Sequence, residues 1–225
     1  MGSKMLTGSM LLGGVLLAIV MVFLEPSTGS DQDKFAVQVQ AMLDNATQTF
    51  LVGVGFTLAI LGILIGTSYL ARSMQGEQKS GSDLAGLASV LALLAAAVMV
   101  VSSGLQMGLL HDSYADKGGD VATAYAISEG IFPIAFMLMA GSLLLLGIAI
   151  VRQKNLNQIV GGLTALVEAI FLLGMLMPSG DPDLDSTSTM EAIGGILWVS
   201  GFFGWLIMTM VLGVVTIRSA RQNAS

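Results

Sequence analysis

The chain has 225 residues, of which 54% are hydrophobic and only 11% charged, with a net charge of −6 and a mean hydropathy of +0.83. An ordinary soluble domain carries about 25% charged residues, so this composition excludes a water-facing globule, and lipid must solvate most of the surface. Nine scattered Lys and Arg, one His and no Cys exclude nucleic-acid binding, disulfides, thiolate metal sites, cysteine nucleophiles and a histidine metal cage.

Crossing the hydrocarbon core takes about 20 apolar residues in a helix. The first such run covers residues 5–24. Lys4 ahead of an apolar stretch also suits a secretory leader, but Glu25-Pro26-Ser27 offers no small-x-small cleavage site, so the run is expected to stay as a span. Between residues 34 and 47, Phe35, Val39, Met42 and Leu43 fall at i, i+4, i+7 and i+8. That spacing predicts an amphipathic helix lying on the membrane surface or capping a bundle.

The second span is 50–70 and contains the small-xxx-small pair Gly62 and Gly66. Such pairs let helix backbones approach closely in lipid and predict packing inside the bundle. The third span, 84–110, repeats the pattern with Gly104 and Gly108 and carries the polar stretch Ser102, Ser103 and Gln106. The fourth span is 131–151 and includes Pro133, the fifth is 156–177, and the sixth is 192–217, where Gly201 and Gly204 lie three apart. Trp198 is expected near an interface and Trp205 packed more deeply. The fold class is therefore all-α: one domain, residues 1–225, with six transmembrane helices.

Basic residues set the orientation. With six spans, Lys4, Arg72, Lys79, Arg152, Lys154, Arg218 and Arg221 fall on one side, and only Lys34 and Lys117 on the other. The prediction is three out-and-back hairpins in the cell membrane, with both termini in the cytoplasm. The acids collect in the loops opposite: Glu25, Asp31, Asp33 and Asp44 in the first, Asp112, Asp116, Asp120 and Glu129 in the second, Asp181, Asp183, Asp185 and Glu191 in the third. The outer face would then be acidic and attract cations by screened electrostatics.

The hairpins also read as a repeat over 8–72, 83–153 and 156–221. Leu61-Gly62, Leu146-Gly147 and Leu212-Gly213 recur shortly before the basic residue that ends each returning helix. Repeats that all start on one side differ from the inverted repeats of many secondary transporters.

Glu168 stands out in this pattern. It lies mid-span in Ala165-Leu166-Val167-Glu168-Ala169-Ile170, where an ionisable group costs about 2.5–3.5 kcal/mol on insertion scales. Such a residue faces the bundle interior and marks a candidate site for protons, cations or a small solute. The plainer alternative is a protonated carboxyl donating one structural hydrogen bond. No basic residue lies within a span to pair with it. The expected partners are Ser102, Ser103 and Gln106, Ser200 and Thr209, or backbone freed near Pro133.

Two weaker candidates concern metals. Among 15 Met, Met107, Met175 and Met177 lie towards the predicted outer half with His111. Thioethers and an imidazole suit Cu(I), although Met is more often an apolar filler. Asp181, Asp183 and Asp185 alternate as in a calcium loop, yet Ser186 stands where an EF-hand needs Gly and Ala192 where it needs Glu. That leaves at most a loose cation-binding loop.

No phosphate loop, zinc-protease helix or haem ligand pair occurs in the sequence, so neither an enzyme nor a cofactor is expected. The layout of Gly-rich outgoing helices, outer loops of similar length and short basic inner turns resembles small six-helix membrane proteins of bacteria and archaea of unknown function. That resemblance covers the whole chain and implies no functional residue. The expected role is an accessory or structural subunit of a larger membrane complex, whose partners are the bilayer and other membrane subunits or a second copy. The alternatives are a small transporter or channel using Glu168, or an outer-face ligand sensor.

Overall fold

The computed structural model describes residues 4–26, 35–110, 118–154, 156–177 and 189–222. Among them are seven helices: α1 (Lys4–Phe23), α2 (Phe35–Asp44), α3 (Ala46–Ser73), α4 (Ser82–Leu109), α5 (Val121–Gln153), α6 (Gln158–Leu176) and α7 (Thr189–Gln222). All but α2 are long and apolar enough to cross a membrane, as a multi-pass membrane protein requires. The six match the six predicted runs. Several are longer than the runs, because helical hydrogen bonds continue through polar residues until a cap or turn stops them.

Caps mark two of these boundaries. Asp120 accepts from Thr123 N at 3.2 Å to start α5, and Asn157 accepts from Ile159 N at 2.9 Å to start α6. The hydrogen bonds from Thr123 hold the Asp120 carboxyl below its ordinary pKa. A carboxylate depressed in the folded state stabilises above its unfolded pKa and lets go as pH falls through the lowered value. Protection of the first-turn amides of α5, taken relative to their intrinsic exchange rate, is therefore expected to fall below about pH 4. In Asp120→Asn, whose amide oxygen accepts at every pH, that acid step should vanish.

Each long helix packs on its chain neighbour, and α7 closes onto α1, giving a ring in the order α1, α3, α4, α5, α6, α7. Lys4 Nζ stands 3.5 Å from Ser219 Oγ, so the start of α1 and the end of α7 share one end of the bundle, here called the base. Gln153 hydrogen-bonds Met74 O at the end of α3, which brings the end of α5 to the α3–α4 turn. Helix α2 rests against α3 and α5. Of its predicted apolar face, Met42 is buried but Leu43 is exposed, so the face that docks is narrower than the spacing implied.

Glycine seams bring the backbones together. A Cβ on Gly147 of α5 would sit 2.6 Å from Gly161 O of α6. One on Gly213 of α7 would sit 3.0 Å from Gly8 O of α1, and one on Gly14 of α1 would sit 2.7 Å from Ala59 O of α3. Between α4 and α5 alanine does this work: Ala85, Ala88, Ala92 and Ala95 are buried on one face of α4, and Ser142 donates to Ala88 O at 2.7 Å. Close approach matters here because helices in lipid gain little from apolar burial and associate through backbone packing and hydrogen bonds. One expectation fails. Gly104 and Gly108 meet nothing within 4 Å and face outward, so this pair does not pack inside the bundle. Gly66 does, against Leu11 and Met10.

Candidate intramembrane site

The buried face of α6 is Gly161, Thr164, Glu168, Phe171 and Gly174, at i, i+3, i+7, i+10 and i+13. This stripe is what a 3.6-residue period places on one side. Its glycines admit the neighbouring helices. Gly161 lies against Gly147 and Ile150 of α5, and Gly174 against Trp198 of α7. Gly201 of α7 abuts Phe171, and Gly204 abuts Val167. That register sets the turn carrying Glu168 level with residues 204 and 205.

Glu168 is 0% exposed, and neither of its carboxyl oxygens has a hydrogen-bond partner. Among the described residues, three other buried polar atoms are equally unpartnered: Trp205 Nε1, Thr209 Oγ1 and Thr67 Oγ1. Trp205 and Thr209 lie four residues apart on α7, hence on one face.

On the side away from the base, aromatic rings fill the bundle. Phe136 of α5 lies 6.3 Å from Phe171, 6.4 Å from Phe202 and 5.9 Å from Trp205. Phe202 stacks on Trp198 at 5.5 Å. Trp198 is half exposed and Trp205 fully buried, which matches the expectation that Trp205 packs more deeply.

The polar residues expected to join Glu168 are placed elsewhere. Ser102 donates to Ser128 O of α5 at 3.1 Å, and Gln106 donates to Glu129 at 2.8 Å. Ser103 is buried on the same helix, α4. Helix α4 packs on α3 and α5 rather than on α6, so none of these three belongs to the Glu168 surround. Ser200 is exposed and donates to Leu197 O at 3.2 Å. Pro133 is also exposed. Only Thr209 remains of the expected partners, and it too makes no hydrogen bond.

The metal candidates do not assemble either. Met107 reaches towards Gly53 of α3, whereas Met175 packs on the core from α6 and Met177 follows that helix. Among the described residues, no three His, Asp or Glu converge. His111, Asp181, Asp183 and Asp185 lie outside the described residues.

A second polar group that the spacing did not suggest sits at the end opposite the base. Gln106 and Glu129 meet there, and Glu25 and Tyr125 lie within electrostatic reach of Glu129. Partial burial raises the pKa of the Glu25 carboxyl above its ordinary value. Glu25, Gln106 and the Tyr125–Glu129 turn come from different helices or loops, and only the ring of helices brings them together.

No protein-family model, curated protein or solved structure matches the chain. The reading of this site therefore rests on its own chemistry. A carboxyl, an indole N–H and threonine hydroxyls can exchange a proton and form hydrogen bonds. The carboxyl can also hold a proton.

Proposed function

We propose that the protein is a non-catalytic, multi-pass cell-membrane protein acting as an accessory or structural subunit of a larger membrane complex. In this reading both termini are cytoplasmic and the acidic loops face outward. One observation carries it. The middle of the bundle holds packed side chains, Phe136, Phe171 and Trp205 among them, and Ser102 and Gln106 of α4 bond to α5 rather than to Glu168. The outward face of α4 meanwhile presents Leu94, Val101 and Leu105 around Gly104 and Gly108, which have open space before them. A smooth helix face with small residues suits close approach by another membrane helix.

Gentle extraction from the native membrane is expected to yield a stoichiometric membrane partner. Gly104→Leu with Gly108→Leu should leave the chain folded and monodisperse but lose that partner. A lone monomer from the native membrane overturns the reading.

One observation favours a second reading, a small transporter or channel for protons. Glu168 is wholly buried without a hydrogen bond, which is a poor arrangement for a purely structural carboxyl.

A further inference from the structure

At the base, a cavity of about 80 Å³ is lined by Lys4, Leu70, Ser73, Leu156, Thr216 and Ser219. Four parts of the ring meet there: α1, α3, the residues leading into α6, and α7. Deeper along three of these elements stand the buried threonines Thr67, Thr209 and Thr164. Thr67 is one turn deeper than Leu70 on α3, and Thr209 is seven residues, about 10 Å, deeper than Thr216 on α7. Thr164 is one turn short of Glu168 on α6. All three are at most 1% exposed. Thr164 donates to Val160 O, while the hydroxyls of Thr67 and Thr209 have no partner.

Along their own helices these hydroxyls thus stand at levels between the base cavity and Glu168. Beyond Glu168 the way is closed by Phe136, Phe171, Phe202 and Trp198, whose ring centroids are spaced 5.5–6.4 Å apart in successive contacts.

We propose that Glu168 is a proton-binding site reached from the base of the bundle along Thr209 and Thr67, and shut off from the opposite end by the aromatic cluster. The proposal rests on the second reading above and adds to it a direction and a route. A proton fits better than a metal cation. Hard cations take about six oxygen ligands or more, and one carboxyl with two or three hydroxyls offers fewer. Hydroxyls relay protons because each both donates and accepts.

Among the described residues of α5, α6 and α7, no other charged group intrudes. On α5 the acid Glu129 lies at the far end and Arg152 at the base. On α7, Glu191 lies at the far end, with Arg218 and Arg221 at the base. On α7 each is more than ten residues from the level of Glu168, which Gly204 beside Val167 fixes, and α6 carries no other charge.

The test is infrared spectroscopy of the full chain in lipid vesicles, moved from H₂O to D₂O between pH 5 and 8. A protonated-carboxyl band missing from Glu168→Gln is expected, and it should shift in D₂O within the dead time. In Thr67→Val with Thr209→Val the band should persist and its shift should slow at least tenfold. In Phe202→Leu the shift should keep its native rate. Valine keeps the threonine shape, so unchanged elution of the double variant shows that the fold is intact.

A missing Glu168 band across the range overturns the proton reading itself. A band whose exchange ignores the threonine changes, or speeds up in Phe202→Leu, leaves Glu168 as a proton site but overturns the route.

Discussion

Gly201→Val is expected to cost substantial stability at the seam between α6 and α7. A Cβ at residue 201 would lie 2.5 Å from Phe171 Cα and 2.8 Å from Phe171 N. Both are backbone atoms, which cannot rotate away as a side chain can. The same seam is tight one step along, where a Cβ on Gly174 would collide with Trp198 N. Relief therefore requires α6 and α7 to part, and parting them also separates Phe171 from Phe202, now 6.2 Å apart.

Overpacking a dense interior costs roughly 1–3 kcal/mol and rises when backbone must move. For a chain of this size 1 kcal/mol corresponds to about 2–4 °C in Tm. Gly201→Val should thus lower the melting temperature in detergent by about 6–12 °C, or abolish the monodisperse peak. Gly104→Ala is the control. Nothing lies within 4 Å of that site, and alanine is the better helix former, so its Tm should hold or rise. Equal losses in both variants would show that α6 and α7 are not in this register.

Glu168→Met is expected to do the opposite and stabilise the bundle. The carboxyl is buried without a partner, and an unsatisfied buried polar group costs about 1–3 kcal/mol. Methionine has nearly the same length, adapts to irregular space and needs no hydrogen bond. A rise of several degrees in Tm should accompany loss of the Glu168 infrared band. Stability gained where function is lost is the signature of a residue kept for its chemistry. A fall in Tm as large as that of Gly201→Val would instead make Glu168 a structural hydrogen-bond donor.

The pair of variants separates two roles that glycine and glutamate share in this bundle. Both are unfavourable by simple propensity or burial, and both occur on the inner face of α6. Gly174 is there to let backbones meet, so enlarging it harms. Glu168 has no contact that depends on its charge, so making it apolar helps the fold.

Much of this architecture was legible in the chain. Spans are long apolar runs because hydrocarbon tolerates only internally bonded helices, so composition alone located all six. The amphipathic spacing through Val39 and Met42 located α2. The depth of Trp205 and the isolation of Glu168 in an apolar stretch were equally plain, because both follow from position along one helix.

What faces what was settled only by packing. Ser102 and Gln106 were natural partners for a buried acid by residue type, yet α4 stands against α5 and spends them on Ser128 and Glu129. Gly62–Gly66 and Gly104–Gly108 are the same motif in sequence, but one pair points inward and the other outward. A motif records that backbones can approach, and says nothing of whether a neighbour is present. Tertiary structure alone set Thr67 and Thr209 at levels between the base cavity and Glu168, because α3 lies far from α6 and α7 in the chain. Periodicity reports the environment of a helix face, whereas a site between helices depends on rotation, register and ring order, which arise when all six pack at once.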